Sequence, residues 1–334
     1  MKQNKKYLNN KCNNNNNIKT KKYNNNNSFF KDRYNLFLGK NSFNKLIEAK
    51  NIYSNNQFIR INLSKTNITE IERFLKDNRV KFSKTFIPNA LKIEKSFFNI
   101  SSSLENLSGN IYIQDLASQI PVNTVNFEIL KKLNRKINIL DMAASPGSKT
   151  TQIADLCEYY KLDYNIIAIE PDENRLNKLI NNIQRQEFKN IEIINEFGEK
   201  FQSKNKFDLI LLDAPCSGNL IDDKNWLNKR DLKGINENAE LQKKMLKNAY
   251  NLLEKNGQLI YSTCSLEPEE NELNVDWFLK KFKVKSEKIN LKFGFETKPI
   301  LKFNNIKFSN QNSIRITPYL SKTQGFFVSK FYKI

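Results

Sequence analysis

The chain has 334 residues, enough to bury a hydrophobic core in one large or two medium-sized domains without disulfides or a structural metal. Lysine and arginine outnumber aspartate and glutamate by 55 to 35, and the net charge of +20 favours a polyanionic partner, with a lysine- and asparagine-rich codon bias as the alternative explanation. The chain contains no histidine, which excludes an imidazole base. The lack of histidine and the wide spacing of the four cysteines both argue against a zinc site; the cysteines are Cys12, Cys157, Cys216 and Cys264.

Residues 1–27 are rich in asparagine and lysine and contain no acid, so we expect a disordered basic tail. Residues 28–110 predict a small α+β domain, with helices in "SFNKLIEAKN" and "NITEIERFLKDN", a strand in "FIRINLS", and Asn67 as a helix N-cap. No apolar run reaches the roughly 20 residues of a membrane span, and the N-terminus lacks a secretory signal. We therefore expect a cytoplasmic protein, with organellar or nuclear import through the basic tail as the alternative.

Residues 111–334 alternate between strand and helix patterns. Five apolar runs predict strands, and they are "INILDMA", "NIIAIEP", "NIEIIN", "FDLILLDAP" and "QLIYSTC". The helix "ELQKKMLKNAYNLLEKNG" is predicted to close at Gly257. Continuously apolar strands separated by helices indicate an α/β fold with a parallel sheet covered on both faces. In such sheets ligands bind beyond the carboxyl ends of the strands.

The first of these strands ends in "LDMAASPGSKT", which contains Asp141, a small-residue turn and a helix start near Lys149. Such a turn lets backbone N–H groups approach a ligand, and Asp141 can bind a cation or order the loop. The segment matches neither the phosphate loop nor the dinucleotide fingerprint, which argues against both ligand classes. Glu170 ends the second strand, a position from which an acid can accept hydrogen bonds from ribose hydroxyls.

Two cysteines follow the fourth and fifth strands. "DAPCSG" carries Asp213 and Cys216, and "STCS" carries Cys264. One cysteine at a strand end is usually core packing, but two at neighbouring strand ends beside an aspartate favour chemistry. If the first, fourth and fifth strands are neighbours, these side chains and Asp141 share one cleft. The segment "PEENE" (268–272) is predicted to begin the next helix, with Glu269 and Glu270 in its first turn. A metal cluster at 267–270 is not expected, because no histidine accompanies these acids.

Three segments, "DMAASPGSKT", "DAPCSG" and "YSTCSLEPEENE", resemble motifs of the RNA cytosine-5 methyltransferases of the Nol1/Nop2/Sun type. Weaker matches occur in the family's order in "IRINLSK", "YIQDLASQIPV" and "RITPYLSKTQGFFVSKF". The resemblance implies a Rossmann-like S-adenosylmethionine methyltransferase sheet with a smaller N-terminal α+β domain that contacts RNA. It implies methylation of cytosine C5 in RNA by a monomer. We expect tRNA first and rRNA second, because the chain ends soon after the catalytic fold.

The family's mechanism implies a role for each matching residue. Cys264 is the nucleophile that adds to C6, Cys216 releases the product, Asp213 contacts N3 and N4 of cytosine, and Lys149 is the cation that supports the thiolate. No metal is expected. The residues expected to bind S-adenosylmethionine are Ala143, Ala144, Ser145, Pro146, Gly147, Ser148, Lys149, Glu170, Arg175 and Asp213.

The chain departs from the family pattern at three positions. Ser148 replaces a glycine, which disfavours the turn if that residue requires a positive φ. Phe197 stands where the family usually has an acid that contacts adenine, so either Glu196 or the backbone takes that role. Tyr319 stands where a histidine is common. These departures concern cofactor affinity more than reaction type.

Arg60, Lys65 and the basic stretch 280–288 are candidate phosphate contacts, and Trp226 is predicted to pack in the core. Two other functions remain open. One is a catalytically silent RNA-binding assembly factor of the same fold, which the retained cysteines disfavour. The other is a DNA cytosine-C5 methyltransferase, which typically takes its nucleophile from the Pro-Cys motif.

Overall fold

The described residues of this computed structural model are 27–223, 225–295 and 297–334. The predicted tail, except for residue 27, lies outside them. Residue 27 already belongs to the first helix, α1 (27–38), which precedes α2 (Ser42–Tyr53). Both helices pack in a hydrophobic cluster with Trp226 and Leu266, so they contact the region predicted to be catalytic.

The N-terminal region contains a four-stranded antiparallel sheet. Helix α3 (Ile68–Asp77) packs on it, and the predicted N-cap is confirmed, because Asn67 Oδ1 accepts a hydrogen bond from the Glu70 N–H at 3.0 Å. The fourth strand lies just beyond residue 110 and pairs with the first. The strand order is β2 (Lys81–Lys84), β3 (Ala90–Lys95), β1 (Gln57–Ile61), β4 (Ile111–Ile113).

The central sheet confirms the predicted α/β fold. The five predicted strands are neighbours and parallel, and β14 (Phe326–Lys333) joins them antiparallel to β9 (Leu253–Thr263). A further strand, β13 (Ile314–Ile316), pairs with β14. The order is β10 (Val284–Glu287), β14 (Phe326–Lys333), β9 (Leu253–Thr263), β8 (Phe207–Asp213), β5 (Ile137–Asp141), β6 (Tyr164–Ile169), β7 (Ile191–Ile194).

The strands are continuously apolar because both faces of the sheet are covered. Leu209 and Leu211 pack in one core cluster, whereas their neighbours Ile210 and Leu212 pack in another on the opposite face. The helices of this region are α5 (Leu116–Asn123), α6 (Phe127–Lys132), α7 (Ser148–Tyr159), α8 (Glu173–Gln186), α9 (Trp226–Lys229), α10 (Leu232–Leu252), α11 (Glu272–Lys281) and α12 (Pro318–Ser321). The remaining short elements are a 3₁₀ turn (Ile100–Ser102), α4 (Leu104–Leu107), β11 (Lys302–Phe303) and β12 (Ile306–Lys307).

The predicted end of α10 at Gly257 is wrong. The helix ends at Leu252, and β9 begins at the next residue, so Gly257 lies within a strand. A Cβ atom there would come within 2.9 Å of the Glu254 carbonyl oxygen, so glycine serves close packing rather than a helix cap. Within the described part of the chain, no helix is long and apolar enough to cross a membrane.

Candidate active site

The carboxyl ends of β5, β8 and β9 meet at one edge of the sheet, as predicted. Cys216 and Cys264 follow β8 and β9, and their Sγ atoms are 3.1 Å apart as free thiols. Both cysteines, together with Asp213 and Glu170, line a cavity of about 480 Å³. The two thiols therefore face the same space as the residues predicted to bind the cofactor.

Lys149 is paired with Asp213 in this site. Its Nζ donates to Asp213 Oδ2 at 2.5 Å. Burial lowers the pKa of Lys149, but the charge and hydrogen bond of Asp213, together with the charges of Asp141 and Cys264, outweigh burial and leave this pKa raised. The hydrogen bond with Cys216, followed by burial, raises the pKa of Cys264 well above that of an ordinary thiol. The charges of Asp222 and Asp213 act in the same direction, so the pKa of Cys264 is raised rather than lowered as expected.

Asp213 is oriented by two donors. Besides Lys149, the Ser262 hydroxyl donates to its Oδ1 at 2.6 Å. Ser262 lies on β9, directly beside Asp213 on β8, so the register of the two strands sets this contact. No sequence pattern singles out Ser262, because its partner is 49 residues away.

The loop after β5 lines two cavities that share residues. Ala143 and Ser145 line the large cavity, and with Asp213 they also line a smaller one of about 30 Å³. The other predicted loop residues in the smaller cavity are Ala144, Pro146, Ser148 and Lys149. Gly147 lines neither cavity. It has φ +98° and precedes α7, where its missing Cβ leaves room for the Leu179 side chain. Since the positive φ falls on Gly147, Ser148 is not strained.

Asp141 lies under this loop. Burial raises its pKa to about 6, although the Thr150 hydroxyl donates to its Oδ2 at 2.7 Å. Its Oδ1 is buried and has no hydrogen-bond partner among the described residues. A buried acceptor without a hydrogen bond destabilises the folded protein unless a ligand or solvent donor binds it.

Glu170 and Arg175 form the far wall of the large cavity. The Glu170 side chain is 1% exposed and lies 3.5 Å from the Arg175 guanidinium. That guanidinium also donates to the Ser145 carbonyl at 3.0 Å, which joins this wall to the loop after β5. Phe197 lines the same cavity with 50% of its surface exposed, whereas Glu196 is not among the residues that line it.

The acids after Cys264 do not begin α11, which was the prediction for Glu269 and Glu270. The helix begins at Glu272, and the acids before it bind other segments. Glu267 accepts from the Tyr34 hydroxyl at 2.8 Å and from Arg33, which also pairs with Glu269. Glu270 accepts from the Ser217 N–H in the Cys216 loop. No group of His, Cys, Asp or Glu in the described ranges has the arrangement of a metal site.

Arg60 is not a phosphate contact. It is 0% exposed and donates to the Ser148 carbonyl at 2.6 Å and to Gln114 at 2.7 Å, so it joins β1 to the start of α7. Lys65 pairs with Glu187 at 3.1 Å. The predicted core position of Trp226 is confirmed, with its Nε1 donating to the Ser217 carbonyl at 2.8 Å. Tyr319 lies on α12, where Lys45 contacts its ring.

Comparison with known proteins identifies similar chains. A family model described as 16S rRNA methyltransferase RsmB/F matches residues 128–332. The tRNA (cytosine(49)-C(5))-methyltransferase of Pyrococcus abyssi is 34% identical over 284 residues, which cover 82% of this chain and 87% of that protein. The ribosomal RNA small subunit methyltransferase F of Cronobacter sakazakii is 32% identical over 242 residues, which cover 70% of this chain but only 47% of that protein. A solved methyltransferase homologue from Pyrococcus horikoshii superposes with a TM-score of 0.78 at 30% identity, covering 92% of this chain and 95% of that one.

Proposed function

The chain belongs to the 16S rRNA methyltransferase RsmB/F family and is an S-adenosylmethionine-dependent RNA cytosine-C5 methyltransferase, and we propose that Cys264 is its nucleophile and tRNA its substrate. The observation that carries the proposal is the pair of thiols 3.1 Å apart in the cavity that Glu170 and Asp213 also line. Covalent attack on cytosine needs one sulfur to add and a second group to end the reaction.

The chain's residues fit the cofactor. The loop 143–149 would hold the amino-acid portion, and the buried Glu170 carboxylate would accept from the ribose hydroxyls. Asp141 Oδ1 accepts no hydrogen bond from the described residues, so it is available to a donor of the ligand. Phe197 offers its ring to the adenine in place of an acid. When bound, S-adenosylmethionine supplies an electrophilic methyl group to C5 of cytosine.

Cys264 makes C5 nucleophilic by adding to C6. The C6–S bond forms, the ring double bond moves from C5=C6 to C4=C5, and N3 takes up a proton. Because the pKa of Cys264 is raised, the thiol proton leaves in the same step as the addition and passes to the Asp213 carboxylate. Asp213, held by Lys149 and Ser262, is the carboxyl that carries a proton to N3.

Cys216 ends the reaction once C5 carries the methyl group. Cys216 gives its own proton to solvent and, as a thiolate, accepts the C5 proton, directly or through a water. The electrons of the C5–H bond re-form C5=C6, and the C6–S pair returns to Cys264 as the bond breaks. N3 gives its proton back to Asp213, which passes it to the Cys264 sulfur. The net change exchanges one proton of cytosine for a methyl group, releases one proton to solvent and regenerates both thiols.

tRNA is the proposed substrate because the relative that this chain matches along most of both lengths acts on tRNA. The rRNA enzyme is matched over about half of its own length, which makes rRNA the second candidate. The target cytosine must leave its stack to reach two partly buried thiols, so we expect it in a loop, bulge or junction.

Bisulfite sequencing of the host's tRNA and rRNA, with and without this gene, tests the proposal. We expect at least one tRNA cytosine to lose 5-methylation in the deletion strain and to regain it with the wild-type gene but not with Cys264→Ala. Unchanged methylation in every RNA would reject the substrate class. Restoration of growth by Cys264→Ala would favour an assembly factor instead.

Purified Cys216→Ala protein separates the RNA mechanism from the DNA type. In the proposed mechanism this variant adds Cys264 to the base and cannot release it, so a covalent protein–RNA adduct accumulates on a denaturing gel. If Cys216 were the nucleophile, the same variant would form no adduct.

A further inference from the structure

The backbone of Cys216 is held on both sides by two buried side chains from elsewhere in the fold. On one side, the Pro215 carbonyl accepts from Gln242 Nε2 at 2.9 Å. On the other, the Ser217 N–H donates to the two carboxylate oxygens of Glu270 at 3.0 and 3.3 Å. Gln242 Nε2 also donates to Glu270 Oε2 at 3.1 Å. The two peptide groups that flank Cys216 are therefore tied to one amide–carboxylate pair.

Burial and other side chains hold the Gln242–Glu270 pair in place. Gln242 and Glu270 are both 0% exposed. The other end of the amide, Gln242 Oε1, accepts from the Tyr261 hydroxyl at 3.0 Å and from Asn274 Nδ2 at 2.9 Å. Every polar atom of the amide thus has a partner, which leaves one orientation for its Nε2.

Cys264 is held by different groups. It follows β9 directly, and its carbonyl accepts from Asn219 Nδ2 at 2.8 Å. Neither side chain of the Gln242–Glu270 pair donates to or accepts from it. A change in this pair therefore acts directly on the peptide groups beside Cys216, and it reaches Cys264 only through the Cys216 loop, to which Asn219 belongs.

Burial of a carboxyl is unfavourable, and it raises the pKa of Glu270 to about 7. Glutamine has nearly the same size as glutamate but only one acceptor oxygen. Its oxygen can still accept from both the Ser217 N–H and Gln242 Nε2, as Glu270 Oε2 does, but it carries no charge. Its NH₂ group also replaces Oε1, the second acceptor for the Ser217 N–H at 3.3 Å. Glutamine therefore fills the same space and holds the Ser217 peptide group more weakly.

We propose that Glu270, together with Gln242, is a positioning residue for product release, which holds Cys216 so that its sulfur reaches the methylated base. The inference rests on the proposed role of Cys216. Glu270 does not touch the base and acts only through the Ser217 peptide group. Its loss slows the step after methyl transfer and spares the addition of Cys264 to C6.

The test compares purified wild-type protein with Glu270→Gln, using S-adenosylmethionine and a tRNA transcript that contains the target cytosine. We expect Glu270→Gln to accumulate covalent adduct on a denaturing gel and to lose about tenfold in steady-state turnover, the effect of one charge-assisted hydrogen bond. Methyl transfer in a single turnover stays at the wild-type rate. The double variant Glu270→Gln/Cys264→Ala forms no adduct.

Glu267→Gln is the matched control. Glu267 is as buried as Glu270 and lies in the same segment, but it contacts Tyr34 and Arg33 instead of the Cys216 loop. It should form no excess adduct. If it forms as much as Glu270→Gln, a general disturbance of the segment explains both, and the positioning role is rejected. Gln242→Met provides a second variant, which should also accumulate adduct by freeing the Pro215 carbonyl, and it replaces Glu270→Gln if that protein does not fold.

The outcomes separate the inference from the proposed function. If Cys216→Ala accumulates adduct and Glu270→Gln does not, the positioning role is wrong and the mechanism stands. A parallel loss of single-turnover methyl transfer and adduct in Glu270→Gln also rejects the positioning role. If Cys216→Ala forms no adduct, the proposed role of Cys216 is wrong and the inference falls with it.

Discussion

The large cavity has a thiol end and a cofactor end, and the side chains at the two ends differ. At the thiol end, Asp213 is bound by Lys149 and Ser262, and the two cysteine sulfurs touch each other. At the cofactor end, Phe197 is half exposed, and the Glu170 carboxylate accepts from the Asp172 N–H at 3.0 Å and lies 3.5 Å from the Arg175 guanidinium. Direct contacts within the chain thus orient the polar groups at both ends. The thiol end holds the groups proposed to form and break bonds, whereas the cofactor end offers a carboxylate and an aromatic ring for binding. Changes at the thiol end should therefore reduce the rate, and changes at the cofactor end should reduce affinity.

Cys264→Ala is the strongest test of this division. We expect methyl transfer to fall by at least about 10³-fold, because no covalent adduct can form. Affinity for S-adenosylhomocysteine should stay unchanged. Transfer of a tritiated methyl group and isothermal titration calorimetry measure the two quantities. A large loss of affinity would show that the two ends are not separable.

Glu270→Gln should change the pH dependence of stability. Because burial raises the pKa of Glu270 to about 7, the folded protein holds this proton more tightly than the unfolded chain does. The free energy of unfolding of the wild type should therefore fall, relative to the variant, by about 3 kcal/mol as the pH rises from 4.5 to above 7. Urea unfolding between pH 4.5 and 8 measures this difference. Parallel curves would mean that Glu270 is not the group that titrates.

Asp213→Asn should lower the rate of methyl transfer by about 10²-fold, because the proton carrier to N3 is lost. It also leaves the buried Lys149 ammonium without its counter-charge, so the variant should be less stable than the wild type. Lys149→Met/Asp213→Asn is the control, which should recover stability but not activity. Thermal unfolding and methyl transfer assays distinguish the two effects. Recovery of activity would contradict the role of Asp213.

Phe197→Ala should have the smallest effect, and this effect should be confined to the affinity for the cofactor. Loss of one aromatic ring from a base contact should weaken S-adenosylhomocysteine binding by about tenfold. Phe197→Tyr should bind like the wild type, since it keeps the ring. At saturating S-adenosylmethionine, adduct formation in the Cys216→Ala background should not change. Calorimetry on both variants checks the first result, and unchanged affinity in Phe197→Ala would show that the ring does not contact the adenine.

Local patterns were sufficient to predict the elements that carry the site. Apolar runs bounded by turn residues predict β5, β8 and β9, and the residues just after them form the cavity edge. A helix end was harder to place. α10 and β9 are joined without a turn residue, so the apolar pattern and Gly257 together suggested a longer helix than the one that forms.

The sequence by itself determined the fold class, the family and the presence of two cysteines and an aspartate at neighbouring strand ends. These follow from short-range hydrophobic patterns and from motifs, which are contained in contiguous residues. Tertiary structure decided what each charged group does. Arg60 is buried on Ser148 instead of exposed to phosphate, Lys149 is paired with Asp213, and Cys264 has a raised pKa. Hydrogen bonds and burial set these properties, and their partners lie 48 to 88 residues away in the chain.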